Sequence, residues 1–253
     1  MPTTGYQGPY FLNERNDFVN FSTVPLVQEA ITAASIGVVT QGHTNRWNID
    51  GKYFEQFNTV TTSVVAPSFA GVVNGGLNIG ALIAGNSKEI EITQGNSTAI
   101  KNNFVIATSP AFYVRATFNV ATLNTVTECS VGFRKQATYA TSPLSTYTDY
   151  AIIGLSGTAG EIYTQTGIAS TYVKTDTTNA ATAATNVTFQ VNIDASGNVT
   201  YQYAVGGAAL TAPSTVVAAA MGSALNFIPW IHVTSASGAS GEVDLVSYSC
   251  GKL

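Results

Sequence analysis

The chain has 253 residues, 45% of them apolar and only 9% charged, with ten basic against fourteen acidic side chains and a net charge of −4. That is ample material for a core and excludes a disordered chain, and the lack of any Lys/Arg cluster excludes a nucleic-acid surface. Charge this far below the roughly 25% of an average soluble protein leaves solubility to Thr, Ser, Asn and Gly.

Residues 1–36 read as an arm, in which Tyr6, Tyr10, Phe11, Phe18 and Phe21 are interleaved with Gly, Pro, Asn and charges and follow no period. Its opening, MPTTGYQGPYFLNERND, has neither the basic nor the apolar region of a secretory leader. After Pro25, LVQEAITAA places Leu26, Ala30, Ile31 and Ala34 on one side, so a short helix is predicted over 26–35 with Gly37 as its stop. Aromatics without their own core need cover, and the arm is expected to find it on a neighbouring subunit.

Residues 37–110 read as β-rich and as part of, or packed on, a sandwich. His43 in QGHTN falls in a turn, and NRWNIDG sets Trp47 and Ile49 on one face before the turn dipeptide Asp50-Gly51. The Gly-rich Val64–Asn86 stretch reads as a strand pair or an inter-subunit contact. KEIEITQGN alternates, with Ile90 and Ile92 inward and Glu89 and Glu91 outward.

Residues 111–253 read as a jelly-roll sandwich. FYVRATFNV presents Phe112, Val114, Ala116 and Phe118 on one face, and VTECSVGFR presents Cys129, Val131 and Phe133. YAIIGLSG is a nearly continuous apolar run, which suits a strand covered on both sides. The polar, low-complexity Thr175–Asn186 stretch is expected to be an exposed loop. The clearest hairpin runs from Val187, Phe189, Val191 and Ile193 through DASGN to Val199, Tyr201 and Tyr203. NFIPWIHVTS and GEVDLVSYSCG supply the last strands. In the latter the apolar phase switches after Leu245, which predicts a β-bulge near Leu245-Val246.

Convergent chemistry is scarce. His232 reads as a hydrogen-bonded strand histidine, and Asp149, Asp176 and Asp194 read as loop acids. Two distant histidines and no nucleophile elbow give a serine-hydrolase triad nothing to stand on. No phosphate-binding loop, dinucleotide fingerprint, paired His/Cys spacing or calcium loop is present, so neither cofactor nor metal is expected. Cys129 and Cys250 are too few for a disulfide framework and read as buried free thiols or one disulfide. Glu242 and Asp244 match the front of the E-x-D-x-x-E signature of β-glucan hydrolases, but Ser247 replaces the second Glu. Serine, with its high pKa, cannot protonate a departing sugar, so no catalytic residue is assigned and an enzyme is not expected.

The strands FYVRATF, VGFRK, DYAIIGLSG, VTFQVNIDASGNVTYQY, PWIHV and GEVDLVSYSCG, in that order, resemble the concanavalin A-like (laminin-G/glucanase-type) jelly-roll domains of tailed-bacteriophage virion proteins. The resemblance implies an all-β, antiparallel two-sheet sandwich, here with an extended N-terminal arm. It implies a capsid decoration or cement protein on the virion surface, assembled in the host cytoplasm. Its partners would be the major capsid protein and itself, as a homotrimer, with Tyr6, Tyr10, Phe11, Phe18 and Phe21 as the contact residues. The alternative is a carbohydrate-binding head-fibre or tail adhesin, for which Trp47, Tyr147, Tyr150 and Trp230 are the candidate sugar-facing aromatics; a β-glucan hydrolase ranks last. No membrane partner is expected, since no apolar run reaches the roughly 18 residues needed to span a bilayer.

Overall fold

The computed structural model describes residues 17–20, 43–49, 52–58, 76–79, 89–95, 103–140, 142–157, 159–222, 225–235 and 243–253. The helix expected over 26–35 and the arm residues Tyr6, Tyr10, Phe11 and Phe21 lie outside them. In chain order the first strands are β1 (Asp17–Asn20), β2 (His43–Ile49), β3 (Lys52–Asn58), β4 (Leu77–Asn78), β5 (Glu89–Thr93) and β6 (Phe104–Val105). The central ones are β7 (Phe112–Val120), β8 (Val126–Lys135), β9 (Tyr150–Ser156) and β10 (Glu161–Ile168). The last are β11 (Thr171–Ala180), β12 (Asn186–Ile193), β13 (Val199–Val205), β14 (Asn226–Ser235) and β15 (Val243–Lys252). A single helical turn, α1 (Pro143–Thr146), separates β8 from β9.

Among the described residues these strands form two antiparallel sheets, which is the expected all-β sandwich. The smaller has the order β1-β15-β7-β12-β13 with β4 on β15, and the larger β11-β10-β9-β8-β14-β5-β3-β2 with β6 on β14. Strands from residues 43–105 and from 112–252 share both sheets, so the two regions separated in the sequence make one sandwich.

Period-two alternation decides what lies between the sheets. Val114, Phe118, Phe189, Val191 and Tyr248 of the smaller sheet meet Val131, Phe133, Ile153, Phe227 and Ile231 of the larger. Phe104 stacks on Phe112 at 4.6 Å, and both meet Phe133 edge-on, at 5.7 and 5.0 Å, a geometry that adds to area burial. Each such side chain contributes about 1.5–3 kcal/mol when fully buried. Cys129 and Cys250 are both free thiols in this core. Burial pushes the Cys129 thiol well above its ordinary range.

The bulge in the last strand is present. Leu245 pairs with Phe118 and Ser247 with Thr117, so Val246 is the extra residue and the strand changes phase around it. The β12–β13 hairpin also has the expected register, closing at Ile193↔Val199. Asp194 caps its loop by accepting from the backbone N–H of Ser196 and Asn198 and from Asn198 Nδ2, which lowers its pKa. Gly197 sits at φ +90°, where a Cβ would lie 2.4 Å from the carbonyl oxygen of Met221.

Three expectations are corrected. The Thr175–Asn186 stretch is not one loop: its first half, 175–180, lies in β11, an edge strand closed onto β10 by the turn residues Ala169 and Ser170, both at positive φ. β-Branched threonine favours extended backbone, and an edge strand exposed on both faces needs no apolar alternation. His43 opens β2 rather than a turn. The arm segment Asp17–Asn20 is a strand of its own chain's smaller sheet, paired with Ser247–Cys250, rather than docked only on a neighbour; the side chain of Phe18 lies outside the description.

Replacing Gly197 by Ala combines a strained φ with a backbone clash, and should cost about 1–3 kcal/mol. A urea melt shows it as a lower midpoint with an unchanged slope; an unshifted midpoint contradicts the strained turn.

Candidate carbohydrate-facing surfaces

The sugar-facing aromatics proposed from sequence converge, but under cover. Tyr147, Tyr150 and Trp230 meet on the outer face of the larger sheet, Trp230 edge-on to both tyrosines at 5.7 Å. Trp230 and Tyr150 are 0% exposed and Tyr147 3%, so none presents a ring to solvent. Sequence alternation puts Trp230 on the side away from the main core, where the connection through α1 closes over it. Tyr150 donates to the Leu144 carbonyl at 2.9 Å and accepts from Gln165 Nε2 at 2.7 Å. Its ring crosses Gly167, where a Cβ would come within 2.5 Å. Trp47 lies in β2 opposite Phe54, and its side chain is outside the description.

Beneath the same connection lies a charged cluster. Glu91 does not face solvent: it is 0% exposed, and its Oε2 is 3.1 Å from Nε of the equally buried Arg134. Tyr147 donates its hydroxyl to both Glu91 oxygens, at 2.8 and 3.1 Å. The Arg134 guanidinium lies over the Tyr147 ring at 4.3 Å and donates to the carbonyls of Lys135 and Ala137. Tyr139 donates to Glu55 Oε2 at 3.3 Å and shares a hydrogen bond with Thr93. Burial raises the Glu91 pKa, against the downward pull of Arg134 and Tyr147. Glu55 is thus capped by Tyr139, and Glu91 by Tyr147 and Arg134. Their geometry fastens the 136–149 connection to the sheet.

The remaining candidates are quickly placed. His232 is fully buried, with Nε2 3.3 Å from Thr234 Oγ1, as a structural strand histidine should be. Asp149 accepts from Thr148 and from the Ala169 N–H, and Asp176, in β11 rather than a loop, accepts from the Thr178 N–H. Among the described residues no group of three or more His, Cys, Asp or Glu could hold a metal ion. Asp244 takes the outer side of β15 but is buried there, Ser247 donates to Thr117 at 2.9 Å, and Glu242 lies outside the description.

Sequence reasoning passed over the outer face of the smaller sheet. Alternation that turns Phe112, Val114 and Phe118 inward turns Tyr113, Arg115, Thr117 and Asn119 outward, and aligns them with Asn186, Thr188, Gln190 and Asn192 of β12. Side chains on this face hold one another. Arg115 Nε donates to Gln190 Oε1 at 2.6 Å, and Gln190 Nε2 donates to Asn192 at 2.6 Å and Gln202 at 3.1 Å. Thr117 pairs with Thr188 at 2.9 Å, Asn119 with Asn186 at 2.8 Å, and Asn192 with Thr200 at 3.2 Å. The result is a fixed, nearly uncharged lattice of amides and hydroxyls. Its signal was in the sequence, as the polar half of R-A-T-F-N and of N-V-T-F-Q-V-N.

This architecture has counterparts among solved structures. The chain is similar to the Ca2+-bound form of the VIP36 exoplasmic/lumenal domain, with a TM-score of 0.50, 9% identity and coverage of 79% of this chain and 83% of that one. It is also similar to the metal-free Emp46p carbohydrate recognition domain, at TM-score 0.47 and 7% identity over 78% of this chain and 87% of that one. A legume lectin-like domain from Entamoeba histolytica aligns at TM-score 0.48 and 10% identity over 72% of this chain and 86% of that one. No protein-family model and no curated sequence matches. The fold shared is a concanavalin A-like, antiparallel two-sheet jelly-roll sandwich.

Arg134→Met leaves Glu91 charged and buried without its counter-ion, which should cost about 3–5 kcal/mol. The double variant Glu91→Gln/Arg134→Met should recover most of that in the same denaturant titration. A double variant as unstable as the sum of the two single ones contradicts the pairing.

Proposed function

We propose that this protein is a non-catalytic carbohydrate-binding module that meets its ligand on the outer face of the smaller sheet. One observation carries the reading: Arg115, Thr117, Gln190, Asn192, Thr200 and Gln202 form a side-chain lattice that is already ordered and nearly uncharged. Sugar hydroxyls each donate and accept, so neutral amides and hydroxyls match them. Side chains held in place lose little further entropy when they bind. The lectin-like fold is consistent with this use, although a fold does not by itself specify a ligand.

The virion setting expected from sequence is a second reading, carried by the low charge and the aromatic arm. In it the module decorates a capsid as a homotrimer, with Tyr6, Tyr10 and Phe11 on the major capsid protein, and the glycan surface turned outward. Deleting residues 1–16 spares β1 and its pairing with β15, so the truncated protein should fold, lose its trimer by light scattering and lose particle binding. A truncated protein that keeps both properties removes the arm from this role.

For the main reading, the full chain on a glycan array should give hits that Gln190→Ala weakens roughly tenfold, one charge-assisted contact and its lattice being lost. An array without hits contradicts the reading, as does Gln190→Ala binding like the wild type.

A further inference from the structure

Within that lattice one group is built differently from the rest. Arg115 is the cation of the face, and its Nε is committed to Gln190 Oε1 at 2.6 Å. Gln190 spends its own amide on Asn192 and Gln202, so it is anchored on the far side and cannot swing away. Among the described residues neither Nη of Arg115 is bound to a protein atom, and the guanidinium carbon stands 5.9 Å from the ring centre of Tyr113. The acid of this face, Asp244, is buried and already engaged. Its register partner Asn119 lies four residues from Arg115 along β7, about 13 Å of strand. Among the described residues the exposed ion pairs lie elsewhere: Lys135 pairs with Asp149, and Lys174 with Glu128.

A guanidinium pinned at Nε presents its remaining N–H donors in one plane, which fits the two oxygens of a carboxylate or of a sulfate. Holding the fork in place beforehand removes much of the entropy loss that weakens a surface ion pair. Resting on the carbohydrate reading above, we infer that Arg115 is a specificity subsite for an anionic group on the bound sugar, a uronate, sialate or sulfated residue, with the partly exposed amides of Asn192 and Gln202 taking neighbouring hydroxyls. Tyr113 offers its ring to the apolar face of the same residue. The smaller sheet thereby selects acidic glycans over neutral ones of the same backbone.

The test uses the full chain and paired probes measured by calorimetry at low salt: oligogalacturonate against its methyl ester, and sialylated and sulfated oligosaccharides against their neutral counterparts. At least one acidic probe should bind roughly tenfold tighter than its neutral partner, the size of one charge-assisted contact. Arg115→Gln should abolish that difference, so that acidic and neutral partners bind alike, and Arg115→Lys should keep part of it. Lys252→Gln, which removes an exposed charge on the same strand system, should leave the preference intact. Equal affinity for acidic and neutral probes, or a preference that survives Arg115→Gln, overturns the subsite and leaves carbohydrate binding standing. Failure of every probe, acidic and neutral, overturns the carbohydrate reading and the subsite together.

Discussion

The central strands of the larger sheet, β8, β9 and β14, are covered on both faces, and the smaller sheet gives one face to the core; this asymmetry decides where a ligand can meet the molecule. In the larger sheet Val131, Phe133, Ile153 and Ile231 face the sandwich core. Tyr150, Ile152, Tyr163 and Trp230 of the same strands face a second apolar cluster under the connection through α1. A sheet buried twice has no free face to offer, whatever aromatic residues it carries. The smaller sheet gives only its inner face to the core. Its outer face is polar and ordered, with Tyr113, Arg115, Thr117, Thr188, Asn192 and Gln202 partly open to solvent above the buried Gln190.

The second layer is fastened by charge as well as by packing. A buried carboxylate and guanidinium tolerate loss from water only when paired and hydrogen-bonded, and Glu91 and Arg134 have each other, Tyr147 and two backbone carbonyls. Tyr139 on Glu55 and Thr93, and Gln136 on the Gly95 carbonyl, extend the same attachment along the connection. Such a cluster adds less to stability than its count of contacts implies, because desolvation offsets the attraction. Its consequence is specificity: the connection has one place to sit, and the aromatic cluster beneath stays closed.

Much of this was legible. Strands with one apolar face, such as Phe112–Val120 and Asn186–Ile193, announced themselves by alternation, and the phase change at Leu245-Val246 correctly located a bulge. The run Tyr150–Leu155 correctly marked a strand covered twice. The errors share one cause: alternation tells which residues share a face, and not what lies on that face. Glu91 alternates like a surface acid and is buried, because Arg134 and Tyr147, far along the chain, cover it. Trp230, Tyr147 and Tyr150, candidate sugar-facing aromatics that equally suited a core or an interface, are core because the same connection covers them. The loop expected over Thr175–Asn186 failed in the opposite sense, since an edge strand such as β11 with water on both sides leaves no apolar period to read. The polar lattice was passed over because each member, an Asn, Gln or Thr, is unremarkable alone, and only the register of β7, β12 and β13 assembles them.

The account stands or falls on which face a sugar touches. The direct measurement is side-chain amide NMR on the full chain, titrated with the tightest oligosaccharide from the array. The predicted result is perturbation of the amide groups of Gln190, Asn192 and Gln202, with those of Gln136 and Gln165 unmoved. Perturbation centred instead on Gln136, Gln165 and the indole N–H of Trp230 places the ligand on the larger sheet and contradicts the account.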